Sequence, residues 1–368
     1  MTAPPGSPRL DRAANVAGHP SISWSIVLDA VPTRPVRVAE VRERLAHAWP
    51  PDGRAGPVPP VEVDRAERHL LRLAELADRP YAGAGPLCRV VVLQGEPSAR
   101  VLVAGHHAVL DGMGLVAVLG ASLGVPLGTD ARGAGGARIR RSRLAYPMRR
   151  ALEAVFAPPD RVCGDGTSGA TSIEAARSGG DVAGDHLLTA SVAAPITTVD
   201  LVVAAVAAVR AWNARHGAGG RRMVVAIGAS RTPGSAPLIG RQALWFRIRI
   251  GDGDAEDVRA ALRIRGPEPQ ESASMMRAAN RAGASRLLED RTGSTLLVSN
   301  LGRLAPDDAV AGAAFYPSAH GRSGIAVGGV ILGDRTTITL RARRRTFSPA
   351  AARELVDLLA SHAAASAA

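Results

Sequence analysis

Apolar residues recur along this chain at two periods, and the change from one to the other marks out the elements. Ile22 to Leu28 is a first apolar run of strand type. Val38, Val41, Leu45 and Trp49 then recur at helical spacing between Pro35 and the stop at Pro50-Pro51. Val61-Glu62-Val63 predicts a short strand. It is followed by a helix with Ala66, Leu70, Leu73 and Ala77 on one face and Pro80 beyond its end. Cys88 to Leu93 and Arg100 to Ala104 read as two strands joined by QGEPS. A helical run from Met113 to Leu123 follows, so His106 and His107 lie at a strand–turn–helix junction.

Periodicity weakens from about Gly124 to Asp185, where Gly, Arg, Ser and Ala dominate and a helix is predicted only at Leu144 to Phe156. The dense Gly and Ser of Pro158 to Gly184 predict a linker, giving lobes at 1–160 and 185–368 with 161–184 between them. The second half restarts with a strand at Leu187 to Val192. A helix at Thr197 to His216 follows, capped by Thr197 with Asp200 three residues on and stopped by Gly217. It is apolar nearly all round from Val199 to Val209, which predicts burial. Strands follow at Met223 to Ile227 and Leu244 to Ile250. In the latter Leu244, Phe246, Ile248 and Ile250 share one face and Arg247 and Arg249 the other. A helix is expected around Ser274 to Glu289, then the strand-like TLLVSNLGRL. A hairpin turns at Gly333-Asp334, and a last helix starts at Ser348-Pro349.

Composition narrows the chemistry. Hydrophobic residues make up 46% of 368 positions with no run of membrane-spanning length, as in a soluble globular protein. The start MTAPPGSPRL lacks an apolar signal core, so a cytoplasmic location is expected. The net charge of +12 invites a nucleic-acid partner, but all 45 basic residues are arginine in an Ala- and Gly-rich chain, a codon-bias pattern. With 3% aromatics, stacking platforms for single strands are not expected either, and no nucleic acid is assigned. The positive charge still favours anionic partners. The arginines at 138, 140, 141, 143, 149 and 150 read as a solvated linker face. Without lysine there is no Walker A loop, no Schiff base and no Ser-x-x-Lys pair. Cys88 and Cys163 form neither a metal spacing nor a disulfide framework. No metal is expected.

The chemistry concentrates in VLVAGHHAVLDGMG, Val101 to Gly114. Adjacent side chains on an extended strand face opposite ways, so His106 and His107 must differ in role. Gly112 suits the turn after Asp111 because it lacks a Cβ. HHAVLDG, His106 to Gly112, resembles the HHxxxDG signature of the chloramphenicol acetyltransferase-like superfamily, which includes peptide-synthetase condensation domains and alcohol acyltransferases. The order of strand, helix, helix, hairpin and motif resembles the N-terminal half of that family. The Ser299-Asn300 pair resembles the "SN" element of its alcohol-acyltransferase branch. The DFGWG motif of the plant branch is absent, and the middle region looks contracted.

The resemblance implies a two-lobed α/β fold, each lobe a mixed sheet with helices packed on it and an active-site tunnel between the lobes. It implies His107 as catalytic base, with Asp111 holding the loop by pairing with an arginine, for which Arg231 is the candidate. His106 and Gly112 become structural, and Ser299 and Asn300 line the tunnel. His320 is a weaker channel candidate, since nothing in its spacing argues for it. Neutral imidazole, with an unperturbed pKa near 6.5, can take a proton from an alcohol or amine acceptor as it attacks a thioester carbonyl. Asn300, Ser299 or the Gly112 N–H would face the oxyanion. The implied co-substrate is acyl-CoA or a phosphopantetheinyl-carrier thioester, with no permanently bound cofactor. The expected partners are a small-molecule acceptor and an acyl or peptidyl carrier protein, and the chain is expected to be a monomer. The setting would be secondary or lipid metabolism. A carrier-dependent condensation enzyme and a non-catalytic relative that binds a pathway intermediate stay open.

Overall fold

The computed structural model describes residues 24–53, 55–81, 85–95, 98–134, 145–165, 184–251, 255–264, 266–268, 293–319 and 324–367. The helix expected at Ser274 to Glu289, the arginines at 138 to 143, most of the expected linker and His320 lie outside them. The protein is a two-lobed α/β structure built on two mixed sheets. In the first lobe β1 (Ser25–Pro32), β2 (Val61–Arg65), β3 (Cys88–Gln94) and β4 (Arg100–His106) are joined by β10 (Val310–Tyr316), in the order β10-β1-β4-β3-β2. The seven-stranded second sheet has the path β6-β12-β11-β9-β7-β8, with β5 (Gly128–Thr129) paired to β9. These strands are β6 (Asp185–Val192), β7 (Met223–Ser230), β8 (Ala243–Ile250), β9 (Leu296–Ala305), β11 (Ile325–Leu332) and β12 (Arg335–Arg343).

Strand alternation decides what each sheet face buries. In the first sheet Ile26, Leu28, Val90, Val92, Val101 and Val103 pack under α1 (Val38–Ala48) and α3 (Gly112–Leu123). The opposite residues Val27, Val91, Leu93, Leu102 and Ala104 pack under α2 (His69–Asp78). That helix departs from the expected face. Leu70 is 73% exposed, while Leu73, Leu76 and Ala77 are buried. Its first turn, Ala66–Arg68, is a 3-10 turn. The tighter winding shifts the phase between Ala66 and the α-helical residues after it, and Leu70 rotates outward.

In the second lobe Phe246, Ile248, Ile250, Val225, Ile227, Val298 and Leu340 line one sheet face. On that face lie α5 (Thr198–Arg215), α6 (Ala255–Ile264) and α7 (Pro349–Ala367). The α5 helix is capped as expected, Thr197 Oγ1 accepting the Asp200 N–H, and Trp212 at its far end is 1% exposed. Residues just beyond α4 (Ala145–Phe156) are tied to α5. Trp212 Nε1 donates to Cys163 O at 2.8 Å and Asn213 Nδ2 donates to Arg161 O at 2.8 Å.

The other face of the second sheet looks toward the first lobe, and two contacts fasten it there. β10 leaves the second lobe after β9 and pairs antiparallel with β1, Val27 opposite Tyr316 and Leu28 opposite Phe315. Gly328 leaves the room it needs, since a Cβ there would collide with Phe315 O. Arg341, fully buried on β12, reaches across with Nη1 on Ser25 O at 2.6 Å and Nη2 on Ala77 O at 3.0 Å, its Nε paired to Asp185 at 2.5 Å. β10 was not predicted from the sequence, because AVAGAAFY carries little apolar alternation. Among the described residues no helix is long and apolar enough to cross a membrane.

Candidate active site

β4 is a central strand of its sheet, so both its neighbours anchor the motif that follows. The His106 N–H donates to Leu87 O at 2.8 Å on the β3 side, and the His107 N–H donates to Trp24 O at 2.8 Å on the β1 side. The chain then folds back at once, Leu110 N–H donating to His106 O at 3.1 Å. Gly105 permits this, because a Cβ there would stand 2.8 Å from Leu110 Cδ1.

The two histidines face different surroundings. His106 is 1% exposed, stacked on Trp24 with ring centroids 5.9 Å apart and meeting Tyr81 edge-on at 5.3 Å. Its Nδ1 accepts the Ala108 N–H at 3.1 Å, so the neutral ring carries its proton on Nε2. Burial, with the charge of Arg241 adding to it, pushes its pKa down to about 4. His107 is only partly buried, and its Nδ1 lies 3.2 Å from Leu110 O. A carbonyl can only accept, so Nδ1 holds the hydrogen and Nε2 keeps the lone pair that a base needs.

Asp111 caps α3, its Oδ1 accepting the Gly114 N–H at 2.8 Å. Its Oδ2 accepts the backbone N–H of Gln242 at 2.6 Å, a bond from the second lobe. Burial pushes the carboxyl upward, opposed by the two N–H donors and the charge of Arg241. Arg241 therefore acts on both His106 and Asp111. Arg231 reaches the group through its backbone, its N–H donating to Gln242 O at 2.8 Å. Two glycines make the approach of the lobes close enough for this. A Cβ on Gly114 would lie 2.5 Å from Gly240 O, and one on Gly112 would lie 2.6 Å from Leu301 Cδ2. That the Gln242 N–H would meet Asp111 was not anticipated from the sequence. A backbone donor leaves no side-chain signature, and only the run of glycines marks the fit.

Ser299 and Asn300 sit on β9 in the middle of the second sheet, immediately before Leu301. The Asn300 amide is committed at both ends. Nδ2 donates to Ile196 O at 2.9 Å and Oδ1 accepts the Gly302 N–H at 2.9 Å, at a residue with φ of +81°. Ser299 lies over Gly228 of β7, where a Cβ would come 2.9 Å from its Oγ. Among the described residues no group of His, Cys, Asp and Glu could hold a metal ion.

No family model matches this chain, and no curated protein matches it. Solved structures do. The starter condensation domain of rhizomide synthetase, as a variant in complex with C8-CoA, superposes with a TM-score of 0.57 at 12% identity, covering 97% of this chain and 94% of its own. The first condensation domain of CDA synthetase gives 0.56 at 14% identity, covering 100% of this chain and 97% of its own. The chain has the condensation-domain fold. That is the fold of the chloramphenicol acetyltransferase-like superfamily. In this condensation-domain fold the motif loop lies where the two lobes meet, Asp111 on one side and Gln242 on the other.

Proposed function

We propose that the protein is an acyltransferase that moves an acyl group from a thioester to an alcohol or amine acceptor, with His107 as general base. The observation that carries this reading is the His107 ring itself. It is partly exposed at the end of a central strand, with Nδ1 donating to Leu110 O. Nε2 takes the acceptor's proton as its oxygen or nitrogen bonds to the thioester carbon. The C–S bond then breaks and the thiolate leaves with that proton. Ser299 and the Gly112 N–H are the candidate donors to the oxyanion. The Asn300 amide is spent on Ile196 O and the Gly302 N–H. Base catalysis of this kind is worth about 10² to 10⁴ in rate.

A mass-spectrometric screen of acyl-CoA donors against alcohols and amines tests the reading, with His107→Ala as control. Product formed by the wild type and lost in a folded His107→Ala variant is the expected result. Turnover unchanged by the substitution would rule His107 out as the base. The condensation domains that share the fold come from synthetases, which favours a carrier-tethered thioester as a second form of the donor. Turnover with a phosphopantetheinylated carrier and none with free acyl-CoA would select it.

A further inference from the structure

α4 sits on the second sheet with its faces reversed. Its charged side meets β8, where Glu153 Oε2 takes Arg247 Nη1 at 2.6 Å and Arg150 Nη1 at 2.8 Å. Burial pushes the Glu153 carboxyl up, yet Arg247 and Arg150 hold it below the ordinary carboxylate range. Ala154 on the same side is fully buried. Of the two α4 arginines expected on a solvated linker face, Arg149 is exposed, but Arg150 is 15% exposed and committed to this ion pair. The apolar stripe looks outward. Met148, Leu152, Val155 and Phe156, three and four residues apart, are 69%, 53%, 58% and 74% exposed. An amphipathic helix ordinarily turns such a stripe to the core. A contiguous patch of this kind marks a surface that something covers. Leu152 and Phe156 also line a cavity of about 430 Å³ between α4 and the strands β7 and β8.

The chain itself supplies the cover. The Glu268 N–H donates to Trp245 O at 2.9 Å, and Arg247 Nη2 donates to Gly293 O at 3.2 Å. Residues 269–292, outside the described residues, thus leave and return at neighbouring positions of β8, beside the cavity that α4 overlies. In their sequence the helix expected at Ser274 to Glu289 carries Met276, Ala279, Gly283 and Leu287 at intervals of three and four. Arg277, Arg281 and Ser285 fall on its opposite side. The small residues at its centre, Ala279 and Gly283, leave a groove that the bulky Leu152 and Phe156 can enter. At about 1.5 Å per residue that helix is about 24 Å long and α4 about 18 Å, so the one can run the length of the other.

We propose that residues 269–292 dock on α4 as an amphipathic helix, laying the stripe from Met276 to Leu287 against Leu152 and Phe156. The proposal is independent of the role given to His107.

The test forms disulfides in the full-length protein on a Cys163→Ser background. Cys88 stays, because it is fully buried and burial pushes its thiol up to about 12. Leu152→Cys is combined with Ala279→Cys, with Gly283→Cys and, as a control on the opposite face, with Arg281→Cys. At least one of the first two pairs is expected to join within one molecule tenfold or more faster than the control. Hydrogen exchange gives a second readout. Amides of residues 274–289 are expected to exchange tenfold or more slower than in a free peptide of that sequence. Phe156→Ser, at an exposed position, is expected to remove most of this protection with the rest of the protein unchanged. A control pair that joins as fast, or a segment whose exchange ignores Phe156→Ser, would overturn the proposal. Disulfides formed only between two molecules would overturn it as well, assigning the face to a second copy of the chain.

Discussion

The carboxylate of Asp111 receives the backbone N–H of Gln242 at 2.6 Å across 131 positions of sequence. One acid therefore does two things, ending the histidine loop as a helix cap and fixing that loop to the second lobe. A cap alone is worth about 1 kcal/mol. A buried N–H left without an acceptor costs about 1–3 kcal/mol more. Asp111→Ala is thus expected to lower stability by about 2–4 kcal/mol in denaturant unfolding. A loss of 1 kcal/mol or less would mean that the bond to Gln242 carries no weight.

Gly114→Ala sets two effects against each other. Within α3 the substitution gains about 1 kcal/mol of helix propensity. The added Cβ, however, meets Gly240 O at 2.5 Å, and backbone cannot swing aside as a long side chain can. Overpacking costs about 1–3 kcal/mol, so the expected result is net destabilisation. Displacement of the Gly240–Gln242 segment should appear as altered amide shifts there. An alanine variant as stable as the wild type or more so would contradict this.

His106 makes stability depend on acid. Its pKa is lowered to about 4 in the fold against an ordinary 6.5, so the unfolded chain binds its proton first. The stability it contributes is complete above about pH 6.5 and is lost as pH falls toward 4. His106→Phe keeps a ring between Trp24 and Tyr81 but gives up the acceptor for the Ala108 N–H. It is expected to be less stable at pH 7.5 and to show a shallower loss between pH 6.5 and 4 in melting curves. An unchanged acid slope would show that this imidazole does not titrate on unfolding.

Asp78 works in the opposite direction. Its carboxyl lies against Gly184 and accepts the Asp185 N–H, and desolvation together with the Asp185 charge pushes it up to about 6. A carboxyl with a raised folded pKa favours the folded state at low pH and loses that advantage as pH rises through about 4 to 6. Asp78→Asn is therefore expected to raise the melting temperature at pH 7.5 and to change it little at pH 4.5. A lower melting temperature at pH 7.5 would show that the ionised carboxylate stabilises the fold.

The histidine motif was readable because its signal is local. A strand that runs out at two histidines, then a turn and an apolar helix, are set by neighbours within about ten positions. The face assignment on β8 was local too, since alternation puts Phe246 and Ile248 in the core and Arg247 and Arg249 opposite. Arg247 shows where that reading stops. Its face was predictable, but its burial beside Glu153 depends on where α4 comes to rest.

By itself the sequence determined the order of most strands and helices and the strand–turn–helix seat of His106 and His107. These follow from side-chain period and backbone preference, which act over a few residues. Tertiary structure alone decided that β10 joins the first sheet, that Arg341 crosses to Ser25 and Ala77, and that Gln242 holds Asp111. Those contacts use backbone groups, which every residue carries, so no residue type announces them.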